Sequence, residues 1–216
     1  MKGSQQFTNI INKDKMKEKT EVGTMEKVNE IIADLGFENI ITLEDLPKID
    51  LYMDQVIQLF EQKYGATKRT EDEKVLTKTM INNYAKGKLF FSIKNKKYSK
   101  EHLILISLIY QLKGALSLND IKTTLDGLNE KIIAGDFNLE AFYESYLYLF
   151  TKNVESFKED IEEKAKDVNE EITKLEEQDS QYLEKALFIA TLVNISNLYR
   201  RVAEKLVDEI KECKKS

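Results

Sequence analysis

Apolar positions along the chain recur mostly at spacings of three and four, the signature of helices that bury one face. Met25, Val28, Ile31, Ile32 and Leu35 form one such stripe, with Thr24 placed to cap it and Gly36 to end it. Residues 50–65 read as a helix capped by Asp50 and closed by Gly65, after Leu46-Pro47, the only proline site. Polar residues 66–74 read as a loop. Thr77 then caps a helix that runs to Lys86 and stops at Gly87. Leu89 to Ile93, a turn at Lys94-Asn-Lys96, and Lys97-Tyr98 read as a small β-hairpin or wing. Ser99 caps a long apolar helix over residues 100–113, ended by Gly114. Ser117-x-x-Asp120 opens a further short helix, a capping box with Asp in place of Glu.

The C-terminal third predicts two long helices. Leu147, Val154, Ile161, Val168 and Leu175 recur at a strict spacing of seven, with Phe150 and Phe157 between them. That seam is coiled-coil-like, but Lys164 and Glu171 interrupt it, and Ala165 and Ile172 one place later offer a shifted seam. The second helix, about 181–211, is more apolar: Leu183, Leu187, Ala190, Val193, Leu206 and Ile210 are not expected all to be exposed. Residues 176–180 form the turn, so the pair packs as an antiparallel hairpin or against a second chain. The expected fold is mainly α, with a winged domain and a helical hairpin or bundle. Its divisions are a basic flexible arm and short helix at 1–44, a winged domain at 45–130 and a helical region at 131–216.

Composition narrows the chemistry. One Pro and eight Gly in 216 residues agree with a mostly helical chain. The single Cys213 excludes a disulfide framework and any Cys-rich zinc site, and the single His102 excludes two-histidine metal motifs. The first residues lack an apolar export segment, and the longest uncharged run, 14 residues from Ala186 to Tyr199, is shorter than the ~20 needed to span a bilayer. A cytoplasmic protein with no membrane segment is the expectation. Paired acids at Glu162-Glu163, Glu170-Glu171 and Glu176-Glu177 lie mostly opposite the seam and read as a solvated face. No nucleophile, oxyanion or cofactor motif is present, so neither catalysis, metal nor cofactor is expected.

Charge changes the picture more. The chain has a net charge of −5, yet the 27 residues from Lys74 to Lys100 hold eight lysines and no acid, leaving −13 for the rest. Such separation is the electrostatic footprint of a polyanion-binding face. Lys78, Asn82, Asn83 and Lys86 are spaced to share one helix face, where lysine would hold phosphates and asparagine would read adenine edges. The alternative is that lysine is simply the default surface residue of this chain, which has 30 Lys and 3 Arg. The aromatics Phe137, Phe142, Tyr143, Tyr146, Tyr148, Phe150 and Phe157 have two readings: core packing, or a pocket for an apolar small-molecule effector.

The string from Leu76 to Leu89, Leu-Thr-Lys-Thr-Met-Ile-Asn-Asn-Tyr-Ala-Lys-Gly-Lys-Leu, resembles the recognition helix and wing entry of MerR-type regulators. Residues 50–65 resemble their first helix, Lys97-Tyr-Ser-Lys-Glu-His-Leu103 the end of their wing, and Leu112-Lys-Gly-Ala-Leu-Ser-Leu-Asn-Asp-Ile121 the entry to their fourth helix. Leu46-Pro-x-Ile-Asp-Leu-Tyr-Met-Asp-Gln-Val56, with Leu76 to Tyr84 and Lys97 to His102, is closer to an uncharacterised bacterial family, domain of unknown function 1836, over about residues 45–130. Two features depart from the MerR pattern: the long loop 66–75, and lysine where arginine is usual in the wing. The resemblance implies a transcriptional regulator that binds duplex DNA, and the apolar excess of the 139–211 helices adds the expectation of a homodimer formed through them. Its DNA contacts would be Lys74, Thr77, Lys78, Thr79, Asn82, Asn83, Tyr84, Lys86, Lys88, Lys94, Lys96, Lys97 and Lys100. The competing readings are a protein-interaction scaffold using the C-terminal helices, and a membrane-surface adaptor using the basic arm.

Overall fold

A computed structural model describes residues 27–175 and 179–214; the basic arm at 1–20 and the Thr24 cap lie outside the described residues. Helix α1 covers residues 27–34. It is followed by β1 (Leu51–Tyr52), α2 (Met53–Tyr64), a 3-10 turn at Gly65–Thr67 and α3 (Lys78–Lys86). Then come β2 (Lys97–Tyr98), α4 (Lys100–Leu112), α5 (Leu118–Ala134), α6 (Leu139–Leu175) and α7 (Ser180–Cys213). The protein is mainly helical, and β1 and β2 form a two-stranded antiparallel sheet with Leu51 opposite Tyr98 and Tyr52 opposite Lys97. The chain forms two compact units: residues 27–37 with Asn153–Ile195, and Glu38–Lys152 with residues 196–214. The long helices α6 and α7 contribute to both.

The second unit is built around α4, in which His102 through Ile109 are all buried. A helix without an exposed side over two turns must be enclosed. Val56, Phe60 and Tyr64 of α2, Ile81 and Tyr84 of α3, Ile121 and Leu125 of α5, and Leu139 and Tyr143 of α6 share its core. Ile41, in the segment before β1, is buried in the same cluster, so its backbone groups need internal partners. Two tyrosines supply them. The Ile41 N–H donates to the Tyr64 hydroxyl at 3.2 Å, and the Tyr143 hydroxyl donates to the Ile41 carbonyl at 2.6 Å. The Tyr143 oxygen also lies 2.8 Å from Ser107 Oγ of α4. Burial pushes the Tyr143 phenol well above its ordinary range.

In the first unit, Val28 of α1 packs with Ile161 and Ala165, and with the half-buried Ile32, Phe157, Phe188 and Leu192. The heptad seam shifts where Lys164 and Glu171 break it: Ala165, Val168 and Ile172 are buried, while Leu175 is exposed. Lys164 instead pairs with Asp160 at 3.4 Å.

Three local expectations need correction. Asp50 caps nothing; residues 51–52 are a strand, α2 starts at Met53, and the Gln55 side chain accepts from the Tyr52 N–H at 2.8 Å. The helix opened by Ser117 is not short but 17 residues long, with Ile121, Leu125 and Asn129 on its buried side and open space around Gly127. On α7, Leu187, Val193, Leu206 and Ile210 are all exposed in the single chain, with only Leu183 half-buried among the six apolar residues singled out. The Thr77 and Ser117 caps form as expected, accepting from Met80 N–H at 3.1 Å and Asp120 N–H at 3.2 Å.

Tyr143→Phe strands the buried Ile41 carbonyl without changing ring volume. It is expected to lower the unfolding free energy by about 1–3 kcal/mol, read in urea as a lower midpoint at unchanged m.

Candidate nucleic-acid interface

Helix α3 forms because Thr77 satisfies an N-terminal donor and Gly87 closes the C-terminus, its N–H donating to the Asn83 carbonyl at 2.8 Å. A side chain at Gly87 would collide with Leu89, whose Cδ1 lies 2.7 Å from where its Cβ would sit. The helix buries Ile81 and Tyr84 and half-buries Met80. Lys78, Thr79, Asn82, Asn83 and Lys86 are exposed, which at 100° per residue places them on one face opposite the core. Tyr84 is a core residue rather than a surface one, and Thr77 is spent on the cap.

Beyond α3 the chain turns sharply. Lys88, Asn95 and Lys96 have φ of 56°, 52° and 58°, the non-glycine residues with positive φ among the described residues. Lys94 and Lys97 form a bridge closed by the Lys97 N–H to the Lys94 carbonyl at 2.9 Å, so Asn95-Lys96 is a two-residue hairpin turn with both φ positive. The outgoing arm, β2, pairs with β1 rather than along residues 89–93, which ties the turn to the start of α2. Lys97 Nζ lies 5.2 Å from the centre of the Tyr52 ring. The incoming arm is held from α5, where the Asn129 amide donates to the Leu89 carbonyl at 3.1 Å.

His102 holds the base of the turn. Its Nδ1 accepts from the Ser99 N–H at 3.1 Å, doing at the third helical position what Glu or Gln does in an ordinary capping box. Nε2 lies 3.2 Å from the Phe91 carbonyl and donates to it. The ring sits among Phe90, Phe91 and Tyr98 and is buried. Burial is the largest influence on it and lowers its pKa below 6.5, partly offset by the Phe91 carbonyl, Glu101 and Asp50.

The linear charge count overstates the free charge. Lys78 pairs with Asp54 of α2 at 2.7 Å, and Lys100 with Glu140 of α6 at 2.7 Å. Lys74, Lys86, Lys88, Lys94 and Lys96 are exposed and carry no ion pair among the described residues. The structure therefore gives α3 an exposed polar face and the 94–97 turn exposed lysines, while Tyr84 lies in the core and the half-exposed Thr77 caps the helix. Sequence reasoning missed Asp54, Tyr52, Asn129 and Glu140, which lie far along the chain from the residues they hold. The aromatics divide: Tyr143 is buried, Phe137 and Tyr146 pack on the core, and Phe142 and Tyr148 are exposed. Burial pushes the Tyr146 phenol up to about 12. Among the described residues no cluster of metal-ligating side chains occurs, and no helix is long and apolar enough to cross a membrane.

Fold and site together define a mainly helical protein that presents a polar helix face beside a strained, lysine-rich turn. The model of a family described as a domain of unknown function, DUF1836, matches residues 41–146. No curated protein and no solved structure matches the chain.

The chain has one histidine, so its imidazole is directly observable. Unfolded chains take up the His102 proton near pH 6.5, whereas the fold keeps the ring neutral to lower pH. The unfolded state then binds more protons, and the stability His102 contributes is lost as pH falls from about 6.5 toward its native value. The His102 resonances are expected to titrate below 6.5. The stability lost between pH 7 and pH 5 should shrink in His102→Gln; an imidazole titrating at or above 6.5 contradicts the assignment.

Proposed function

We propose that this chain is a DNA-binding transcriptional regulator with a MerR-like winged helix-turn-helix, in which α3 enters the major groove and the 94–97 turn holds the phosphate backbone. The observation that carries this reading is the placement of lysine at Lys88 and Lys96, where the backbone is left-handed. A left-handed conformation costs a non-glycine residue roughly 1–2 kcal/mol, and the second position of such a hairpin turn ordinarily holds glycine. Strain of this kind concentrates at functional sites. Here it keeps the exposed charges of Lys88, just past the end of α3, and of Lys96, in the 94–97 turn, while α3 exposes Asn82 and Asn83. Lysine acts there as a point charge on phosphate, while the asparagines are of the type that pairs with adenine.

The reading extends to a homodimer. Leu198, Tyr199, Val202 and Leu206 of α7 are each more than half exposed, and at 100° per residue they fall on one side of the helix, an apolar strip of the kind that a second copy covers. The same exposed face favours the second reading, a protein-interaction module, should DNA play no part.

Selection from a random duplex pool at two salt concentrations tests the proposal. One enriched, palindrome-like motif is expected, with affinity falling steeply as salt rises. Lys94→Ala/Lys96→Ala/Lys97→Ala should weaken binding evenly across sequences and flatten the salt slope by ~0.9 for each phosphate no longer neutralised. Salt-sensitive binding without enrichment would reduce the site to a non-specific basic surface. No binding at either salt would transfer the function to the α7 face.

Lys96→Gly separates stability from function. It should raise stability by about 0.5–1 kcal/mol by relieving the left-handed lysine, while weakening DNA binding and lowering its salt slope. A variant both more stable and equally tight would remove the lysine from the interface.

A further inference from the structure

The unit formed by residues 27–37 and Asn153–Ile195 contains a cavity of about 120 Å³. Its walls are mostly apolar, formed by Val28 and Ile31 of α1, Ala165 and Val168 of α6, and Phe188 of α7, with the Gln181 side chain of α7 also on the lining. Into this lining α7 places Glu184, whose side chain is 7% exposed and whose Oε1 is buried with no hydrogen-bond partner. Lys27 and Lys185 also border the cavity, but both are exposed, and neither forms an ion pair with Glu184 among the described residues.

Buried carboxylates are ordinarily paired, because leaving one unpaired forfeits its hydration without return. What can complete this one is limited by the walls. A water needs two to four polar partners, and the polar lining residues other than Glu184, namely Gln181, Lys27 and Lys185, are all exposed. A metal ion needs several ligands, and no such cluster exists among the described residues. An anion meets the wrong charge. A body with both an N–H cation and an apolar surface satisfies both halves of the site, and its size is bounded: a dry cavity of ~150 Å³ holds benzene.

We propose that this cavity binds a small organic ammonium ion. The ammonium donates to Glu184 Oε1 while the apolar body lies against Val28, Ala165, Val168 and Phe188. The site is independent of the DNA-binding reading and stands or falls on ligand binding alone.

Isobutylamine is the probe, with isobutyl alcohol and isobutyrate as neutral and anionic matches of similar shape, titrated into the full chain by NMR. Saturable binding of isobutylamine at least tenfold tighter than isobutyl alcohol, and none of isobutyrate, is expected. The thermal midpoint should rise with isobutylamine concentration, as for any ligand bound by the native state alone. Glu184→Gln should weaken isobutylamine at least tenfold without lowering the midpoint of the free protein. Ala165→Met, which fills the cavity and keeps the carboxylate, should also abolish binding. Equal affinity in wild type and Glu184→Gln, or no binding by wild type, overturns the proposal. So does a Glu184→Gln chain that melts lower or fails to fold, which would show the carboxylate already paired within the protein.

Discussion

Burial of α4 on every side is the constraint from which the unit around it follows. Eight successive residues, His102 to Ile109, have no solvent face, so α2, α3, α5 and the start of α6 must each cover one. Enclosure creates polar obligations. Ser107 and the Ile41 backbone lie inside and are served by Tyr143 and Tyr64. At the N-terminus of the same helix, the third position is buried among aromatics, where a glutamate would have to shed its hydration. A neutral imidazole can instead accept from Ser99 and donate to Phe91, capping the helix and holding the turn with one side chain.

That support allows the turn to be strained. Lys88 and Lys96 occupy backbone conformations that glycine would adopt at lower cost, and each is exposed. Such conformations persist only where the surroundings over-determine them. Here β1 holds the outgoing arm, Asn129 the incoming one, and His102 the base. Local preference is set aside at the tip, while the caps beneath it follow ordinary rules; the Asn129 amide nitrogen is spent on the Leu89 and Leu125 carbonyls, and its Oδ1 is buried without a partner.

What could be read in advance was whatever depends on near neighbours. Thr77, Ser99, Ser117 and Gly87 mark helix ends through groups within four residues, and each does so in the structure. The interruption of the heptad by Lys164 and Glu171 foretold the shift to Ala165 and Ile172, since a charge cannot occupy a buried seam. The exposed face of α3 followed from periodicity alone. What stayed hidden was non-local or too short to carry a period. A two-residue strand such as β1 has no alternation to detect, so Asp50 looked like a cap. Asp54 and Glu140 neutralise Lys78 and Lys100 from other helices, which no count along the chain reveals. The core also takes in Leu139 and Tyr143, beyond residue 130, because α6 enters it with its first turns.

Helix α7 departs from ordinary patterning in two opposite ways. Several of its large apolar side chains, among them Tyr182, Ile189, Leu198, Tyr199, Val202 and Leu206, are exposed, while Glu184 is buried. Scattered exposed apolar residues are normal on a protein surface, but a run along one helix is not, and neither is a buried carboxyl oxygen without a partner. Each costs stability in the isolated chain, and a different kind of occupant would relieve each: an apolar surface for the first, a cation for the second. Lysine or glutamate at the exposed positions and leucine at 184 would give a more stable and more soluble helix. The sequence that would suit α7 alone is therefore not the one it has, and the difference measures what the helix is kept for.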